Sequence, residues 1–399
     1  MRDVLISALT AAAEIEHRIT CLYLFSAFSL KTDPSEGGVD WPQLERVRRW
    51  KAELLAIARE EMGHHGLVSN LLVLVGGPPN FEHTSFPAVS HLTPPFDSLD
   101  LLPFSSQALE RFARYEALHT PQQDEGTSLP ATIGDLYQKI GWSLAELDRR
   151  HPRLFIGPTD HQIDNRSLGL QPGKFDIDLV KASDLRSAQE VIARIIDHDH
   201  EERIEAIQRE YAELKGKDPH FEPARPVAVN PQTRRGDGVE IRHAVTRRAA
   251  KLFNTGYEVM TQLLTRLYGR STESTTEIQG LIQTAFFPLM TMVIRPLGEM
   301  LTLMPVDEEA DSLRAGPCFE FPLGRPLHPL NTSAWISVHE RLLGMVKQCG
   351  LLCRELEQDS EPWSDAVLPR CRFLLENLNR IASNFEHRMD LRKEYARHS

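Results

Sequence analysis

Positive charge is in short supply in this sequence. Its 399 residues include 45 lysines and arginines against 56 aspartates and glutamates, which gives a formal net charge of −11. A protein that binds nucleic acid over much of its surface needs the opposite balance, because basic side chains neutralise the phosphates. The composition therefore predicts an acidic surface and no nucleic-acid partner.

Cysteine is also sparse. There are five cysteines, an odd number, and they lack the paired spacing of a zinc site. They are Cys21, Cys318, Cys349, Cys353 and Cys371. In a chain of this length, such usage predicts reduced thiols in the cytoplasm rather than a disulfide framework. Cys349 and Cys353 lie one helical turn apart, and we interpret them as core residues rather than as a redox pair.

The sequence lacks a long hydrophobic run that is free of charge and proline. Near the N-terminus, residues 11–18 contain two glutamates, a histidine and an arginine, which do not suit a secretory signal. The most apolar stretch, 285–304, contains two prolines, Arg295 and Glu299 within a length that barely crosses a bilayer. We predict a buried, proline-kinked helix there, no membrane partner and a cytoplasmic location.

Helical periodicity dominates the rest of the sequence, and glycine and proline fall between the periodic blocks. The predicted helices cover residues 3–31, 43–75, 107–120, 132–150, 184–214, 245–268, 274–304, 333–357 and 364–390. The predicted fold class is therefore all-α, with an N-terminal helical bundle followed by a C-terminal helical region.

Three segments interrupt these helices. The segment 76–106 is predicted to be a long ordered crossover, because two glycines and two prolines at its start stop the preceding helix. Short β-like pieces between glycines and prolines at 154–180 predict a small β-hairpin insertion. The proline-rich segment 215–240 is the predicted linker between a metal-binding bundle at 1–214 and a helical region at 241–399 that packs on it.

Three of the predicted helices carry an acid or a histidine within an otherwise apolar face. In the first helix, Glu16 lies in a stripe of apolar residues spaced by three and four positions. The same spacing selects Glu61 and His64 in the second helix, and Asp197 and His200 in the helix at 184–214. An acid and a histidine three residues apart therefore recur on two helices.

A shared cation would explain these interrupted faces, because burying a lone carboxylate costs several kcal/mol. A dinuclear site in a four-helix bundle takes one carboxylate from each of two helices and Glu-x-x-His from each of the others. Glu16, Glu61, His64, Asp197 and His200 match most of that set, and such ligands suit iron and manganese. Three alternatives stay open: Glu16 paired with a nearby arginine, His64 as a core histidine, and a solvated charge run around His200.

The missing carboxylate belongs on the third bundle helix, predicted at 132–150. No acid lies on the apolar face of that helix. Asp135 is the candidate ligand, but Thr132-x-x-Asp135 is equally well explained as a helix cap. Glu146 shares the face of Asp135, and the helix need not supply any ligand. The sequence leaves the choice among Asp135, Glu146 and neither open.

Several motifs in the N-terminal half resemble one known family. The most specific are Ile15-Glu16-His17, Ala58-Arg59-Glu60-Glu61-Met62-Gly63-His64, Leu67-Val68-Ser69-Asn70-Leu71-Leu72 and Gly76-Gly77-Pro78-Pro79. Together they resemble the ferritin-like domain of the iminophenyl-pyruvate dimer synthase type, a group that includes domains of violacein and rebeccamycin pathway enzymes. The similarity extends roughly to residue 357.

The resemblance implies a ferritin-like four-helix bundle, a dinuclear metal site and a role in natural-product biosynthesis. Glu16, Glu61 and His64 carry over directly as metal ligands. Asp135 and Asp197 stand where the family pattern prefers glutamate. Because aspartate is one methylene shorter, we expect one metal position to bind more weakly than the other.

The resulting hypothesis is a metal-dependent oxidoreductase or oxygenase that uses O₂ on a small molecule such as an amino-acid derivative. Iron is the expected metal, with manganese or a mixed iron–manganese pair as alternatives. Tyr23 and Tyr137 are candidate catalytic residues, either behind the ligands or in contact with substrate. A homodimer is a further expectation. The alternative hypothesis is a metal-free auxiliary or interaction protein of a biosynthetic pathway.

Overall fold

Helices make up most of the chain in the computed structural model. The structure describes residues 2–81, 85–89, 98–117, 132–151, 153–169, 177–268, 272–309, 313–322, 324–358 and 361–391. These residues fall into two units, one up to Arg225 and one from Pro226 onward, with the short segments 85–86 and 166–169 belonging to the second. The division between the units lies within the predicted linker.

The first unit is built from helices α1 to α6. These are α1 (Arg2–Ser29), α2 (Trp41–Leu74), α3 (Ser106–Glu116), α4 (Ile133–Arg150), α5 (Leu185–Ile196) and α6 (His200–Lys217). Two 3₁₀ turns, Pro34–Glu36 and Thr159–His161, lie in the connections. Two short strands, β1 (Ala88–Val89) and β2 (Ser98–Leu99), pair antiparallel in the crossover between α2 and α3.

Local sequence signals explain where the long helix α2 begins and ends. Asp40 caps its start: the Asp40 carboxylate accepts a hydrogen bond from the Gln43 N–H, and the Gln43 side chain accepts one from the Asp40 N–H. At the other end, Gly76 adopts φ 84°, a conformation that favours glycine. The Gly77 N–H then donates to the Leu72 carbonyl over 2.8 Å. The helix stops at the glycine pair, as the sequence predicts.

The first unit is a four-helix bundle in which two of the four helix positions are each occupied by two shorter helices. α1 packs along α2, α3 packs on α6, and α4 packs on α5. Since α3 and α4 are consecutive, as are α5 and α6, each pair of short helices takes the place of one long helix. The predicted all-α fold with a four-helix bundle is confirmed. The prediction of one continuous helix at 184–214 is wrong, because residues 197–199 break it between α5 and α6.

The predicted hairpin is not found where the sequence placed it. The described residues of the segment 154–180 form no strand, and residues 170–176 lie outside the described part of the chain. Side-chain hydrogen bonds from α2 hold this segment instead. The buried Asn70 amide donates to the carbonyls of Ile163 (2.7 Å) and Val180 (2.8 Å), and its oxygen accepts from the Ile163 N–H (2.9 Å).

The second unit has its own helices. These are α7 (Ala244–Leu267), α8 (Thr275–Leu301), α9 (Asn331–Gln358) and α10 (Pro362–Arg388). α9 packs against both α7 and α10. Strands β3 (Pro231–Gln232) and β4 (Val239–Glu240) pair in parallel before α7 begins. The apolar helices of this unit therefore form a second core.

Helix α8 is irregular because it contains two prolines. Its α-helical path widens into π-helical turns at Ile282–Phe286 and Met290–Ile294, and each turn ends two residues before a proline. Proline lacks an N–H and crowds the preceding turn, which explains the widening. By length and composition α8 could cross a membrane, which is weak evidence because core helices also meet that criterion. Only 44% of its most apolar window is buried, less than the sequence predicts.

Removing the Asn70 side chain tests how the segment after α4 is held. Asn70→Ala should lower the free energy of unfolding by about 2–4 kcal/mol, because it leaves three buried backbone groups without partners. Urea denaturation followed by circular dichroism measures the loss. Gln138→Ala, which removes an exposed amide from α4, should change stability by less than about 0.5 kcal/mol. Equal effects of the two substitutions would contradict this role of Asn70.

Candidate metal centre

Four helices of the first unit bring carboxylates and imidazoles to one buried point. α1 contributes Glu16, α2 contributes Glu61 and His64, α3 contributes Glu116, and α6 contributes His200. Glu16 and His200 are 0% exposed, Glu61 and Glu116 are 1% exposed, and His64 is 8% exposed. Charged groups at this depth are rare unless they are paired or bind a metal.

Two clusters of three ligand groups meet at this point. In the first, His64 Nδ1 lies 3.2 Å from Glu61 Oε2 and 3.9 Å from Glu16 Oε2. In the second, Glu116 Oε2 lies 3.4 Å from His200 Nδ1 and 3.8 Å from His198 Nε2. Within each cluster the donor atoms all lie within 4.8 Å of one another, a spacing that could hold one metal ion.

The two clusters are adjacent. His200 Nδ1 in the second lies 2.9 Å from Glu61 Oε1 in the first. The rings of His198 and His200 stack with centroids 4.1 Å apart, and each ring lies within 6 Å of the His64 ring. The arrangement is thus one continuous set of three carboxylates and three imidazoles.

Four atoms of this set are buried and make no well-aligned hydrogen bond. They are Glu16 Oε2, Glu61 Oε1, Glu116 Oε2 and His200 Nδ1. His200 Nδ1 lies 2.9 Å from Glu61 Oε1 and 3.4 Å from Glu116 Oε2, so one imidazole nitrogen is shared between two buried carboxylates. Burying carboxylate oxygens with so few donors is costly. An oxygen-and-nitrogen donor set with no thiolate suits iron or manganese. The residues therefore fit a pair of such ions.

Two buried tyrosines hold the outer oxygens of two carboxylates. The Tyr23 hydroxyl donates to Glu116 Oε1 over 2.6 Å, and the Tyr137 hydroxyl donates to Glu16 Oε1. Burial and the neighbouring carboxylate raise the pKa of each tyrosine well above its ordinary value. Both hydroxyls therefore keep their protons and act as donors, leaving the second oxygen of each carboxylate directed inward.

Polar contacts orient the His200 ring on the side away from the other ligands. His200 Nε2 lies 2.6 Å from Glu60 Oε2, and Arg203 Nη1 donates to both oxygens of Glu60 at 2.9 and 3.0 Å. With one ring nitrogen engaged by Glu60, the other is turned toward the centre. Carboxylates behind a ligating histidine commonly fix its orientation in this way.

The buried charges perturb one another strongly. Burial and the nearby Glu61 raise the pKa of Glu16 well above its ordinary value. Burial opposes the ionisation of Glu61 as well, but the contacts with His64 and His200 lower its pKa well below the ordinary value. Burial favours a neutral His200, yet contacts with Glu116, Glu60 and Glu61 raise its pKa to about 12. Without a metal, His200 therefore holds a proton at neutral pH, and Glu16 is protonated more readily than an ordinary glutamate.

The predicted ligand from the third helix is not in the set. The N–H of Asp135 donates to the Thr132 side chain over 3.1 Å, so Asp135 lies in the capped first turn of α4, half-buried. Glu146 forms ion pairs with Arg149 and Arg150. Neither acid belongs to the described ligand clusters. Glu116, at the end of α3, supplies the carboxylate instead.

Glu116 follows the same spacing rule as the predicted ligands. Leu109, Phe112 and Glu116 are spaced by three and four positions, the same rule that selected Glu16 and Glu61. The structure buries all three residues. The sequence prediction places the third bundle position in α4, and it therefore does not include Glu116 of α3.

Of the predicted pair Asp197 and His200, the structure brings only His200 to the clustered carboxylates and imidazoles. His200 belongs to the centre, but Asp197 ends α5 as an exposed residue and is absent from both ligand clusters. The prediction assumed an unbroken helix, which would put these two residues on one face and turn His198 away. Because α5 and α6 are separated at 197–199, His198 and His200 reach the same point although they are two residues apart.

A cleft of about 580 Å³ lies beside the centre. One wall is a face of α2 that includes Gly63, His64 and Leu67, and the other follows the α5–α6 break. An added Cβ at Gly63 would make an ordinary van der Waals contact with Ile177 at 3.7 Å. Asp197 lines this cleft rather than the metal centre.

The importance of α3 can be tested with two glutamates on that helix. Glu116→Ala should remove at least one of two bound iron ions per chain, because it deletes a buried ligand. Glu110→Ala removes an exposed carboxylate from the same helix and should leave the metal content unchanged. Metal analysis after anaerobic loading with Fe(II) gives both values. Full iron content in the Glu116→Ala protein would exclude α3 from the site.

Comparisons with known proteins place this geometry in a family. A family profile described as Ferritin-like matches residues 9–221. The chain is 28% identical to dichlorochromopyrrolate synthase of Lentzea aerocolonigenes, over 80% of this chain and 36% of that protein. It is 25% identical to 2-imino-3-(indol-3-yl)propanoate dimerase of Chromobacterium violaceum, over 75% of this chain and 32% of that protein. The chain thus spans about a third of the length of these relatives.

A solved structure of a ferritin-like protein from Caulobacter vibrioides is also similar, with 16% identity and a TM-score of 0.46, covering 72% of this chain and 92% of that chain. The two relatives carry enzyme names, a synthase and a dimerase, and they confirm the resemblance to the iminophenyl-pyruvate dimer synthase type. The profile covers more than half of the chain and includes every residue of the metal centre. The chain therefore belongs to the ferritin-like family.

Proposed function

We propose that this protein is a metal-dependent oxidoreductase that uses O₂ on a small, amino-acid-derived molecule. The proposal depends chiefly on the three buried carboxylates of Glu16, Glu61 and Glu116, each with one oxygen that makes no well-aligned hydrogen bond. In a metal-free auxiliary protein these buried carboxylates would lower the stability of the bundle, because apolar residues at the same positions would stabilise the core.

Six residues would hold two ions. Glu16, Glu61 and His64 would hold one, Glu116, His198 and His200 would hold the other, and Glu61 is close enough to His200 to serve both. Iron is the proposed metal, with manganese or a mixed pair as alternatives, because both metals accept carboxylate and imidazole ligands. When bound, such ions would supply the electrons that reactions with O₂ require.

The residues around the proposed metal centre orient the ligands and exclude water. Tyr23 and Tyr137 hold Glu116 and Glu16 by one oxygen each, so that these carboxylates keep a fixed direction. Glu60 and Arg203 fix the ring of His200. The apolar residues of α1 and α2 exclude water from the interior face, which strengthens every charge interaction within the centre.

The cleft beside His64 and His198 is the proposed entry for the substrate. Its lining combines acids, among them Asp178, Asp197 and Asp199, with the guanidinium of Arg194. An amino-acid derivative carries a nitrogen that acids can bind and a carboxylate that arginine can bind. The name of the Chromobacterium relative describes an imino acid with an indole group, a molecule of this kind.

We do not extend the proposal to imine dimerisation. The chain covers about a third of the relatives that carry such names. The proposal is therefore limited to metal-dependent oxidation within the bundle, which the ligand set of the first unit supports without the rest of those proteins.

Oxygen uptake tests the proposal. After anaerobic loading with Fe(II), the protein should consume O₂ in proportion to its bound iron. Glu61→Ala should bind little iron and lose this uptake, whereas Glu45→Ala, an exposed glutamate on the same helix, should keep both. An oxygen electrode and metal analysis give the two readouts. Equal iron binding in all three proteins would contradict Glu61 as a ligand, and no iron binding in any of them would favour the metal-free auxiliary protein.

Metal binding should become tighter as pH rises. Because contacts with Glu116, Glu60 and Glu61 raise the pKa of His200 to about 12, an incoming ion must displace the proton of this ligand, and the raised pKa of Glu16 acts in the same direction. Each displaced proton adds about a tenfold gain in affinity per pH unit below the pKa of that group. Titration calorimetry with Mn(II) in two buffers of different ionisation enthalpy counts the released protons. His200→Ala should release fewer protons, and a pH-independent affinity in the unmodified protein would contradict this assignment.

A further inference from the structure

Three thiols converge in the second unit, far along the chain from the ferritin-like segment. Cys349 and Cys353 lie one turn apart on α9, and Cys371 lies on α10. The sulfur of Cys371 is 2.8 Å from that of Cys353 and 4.0 Å from that of Cys349. All three sulfurs lie within 4.8 Å of one another. The two helices thus present a triangle of sulfurs.

The cluster is buried at the contact between α9 and α10. Cys349 and Cys371 are 0% exposed, and Cys353 is 5% exposed. Leu352, which precedes Cys353, and Leu374, three residues after Cys371, are also buried. The sequence interpretation treated Cys349 and Cys353 as simple core residues and had no reason to connect them with Cys371, which is on another helix.

We propose that Cys349, Cys353 and Cys371 form a binding site for one soft, three-coordinate metal ion of the Cu(I) type. Soft thiolate ligands select Cu(I) and zinc over the ions that suit carboxylates. The site is independent of the proposed oxidoreductase centre, which has oxygen and nitrogen donors.

The number of ligands favours Cu(I) over zinc. Structural zinc sites are almost always four-coordinate, and the described residues add no fourth histidine, cysteine or acid to this cluster. With metal–sulfur bonds of about 2.3 Å, an ion at the centre of a planar triangle needs sulfurs about 4.0 Å apart. The Cys349–Cys371 distance already has this value, and the Cys353–Cys371 pair must open from 2.8 Å.

Basic residues lie next to the cluster in the sequence. Arg354 follows Cys353 and Arg372 follows Cys371, so positive charge is close to the place where three thiolates would bind the ion. Binding of Cu(I) would displace the thiol protons of the three cysteines to solvent, and no electron is transferred, so the step needs no oxidant or reductant.

Competition for Cu(I) tests the site. The full chain, reduced and kept under anaerobic conditions with ascorbate, is titrated with Cu(I) against the coloured chelator bathocuproine disulfonate. We expect one Cu(I) per chain to be withheld from the chelator, together with a sulfur-to-copper absorption band in the ultraviolet. Because the ion would link α9 to α10, it should also raise the thermal midpoint.

Matched variants locate the binding. Cys371→Ala and Cys349→Ala should each lose the withheld ion and the absorption band, while Cys21→Ala, a buried cysteine of the first unit, should keep both. Circular dichroism checks that each variant is folded, and Cys371→Ser provides a second test if Cys371→Ala unfolds. Unchanged binding in the folded variants would overturn the proposal, as would the absence of binding in the unmodified chain.

A disulfide is the competing outcome. Intact mass measured in air and under reductant shows whether Cys353 and Cys371 join with the loss of two hydrogens. A bond that persists in the presence of reductant and prevents uptake of Cu(I) would also overturn the metal site. None of these results affects iron loading of the first unit, so the two proposals fail separately.

Discussion

The first unit depends on how it compensates for negative charge buried in an apolar bundle. Glu16, Glu61 and Glu116 each place in the interior an oxygen that makes no well-aligned hydrogen bond, where an isolated carboxylate costs several kcal/mol. The raised pKa values of Glu16 and His200 follow from this charge, because burial and the neighbouring carboxylates favour bound protons. An ion in the proposed site would replace protons, and its binding would then be coupled to the stability of the bundle.

The interrupted helices give this bundle its particular ligand set. A continuous helix presents residues three or four positions apart to the same neighbour, and residues two apart diverge. The break between α5 and α6 removes this restriction, so His198 and His200 both reach Glu116. The same break lines the cleft beside the centre. One local irregularity therefore supplies an extra imidazole and one wall of the cleft, which is the proposed entry for the substrate.

The two units offer different chemistry to metal ions. The first has oxygen and nitrogen donors around a centre that suits iron or manganese, and the second has three sulfurs that suit a softer ion. Each unit has its own apolar core, and in both units the ligands lie where helices pack together. Helices that pack closely hold side chains at fixed separations, which a metal site requires.

The sequence by itself determined the all-α fold, the stop of α2 at Gly76, and the faces that bury Glu16, Glu61 and His64, because these follow from periodicity within one unbroken helix. The tertiary structure alone decided the rest. It places His198 at the candidate metal centre and Asp197 outside it. Helical spacing no longer predicts which residues share a face once the helix breaks at 197–199, and no glycine or proline marks that break in the sequence. The tertiary structure also joined Glu116 to the centre and Cys371 to Cys349 and Cys353. Contacts between helices depend on how the faces dock, and spacing along one helix carries no information about its partner.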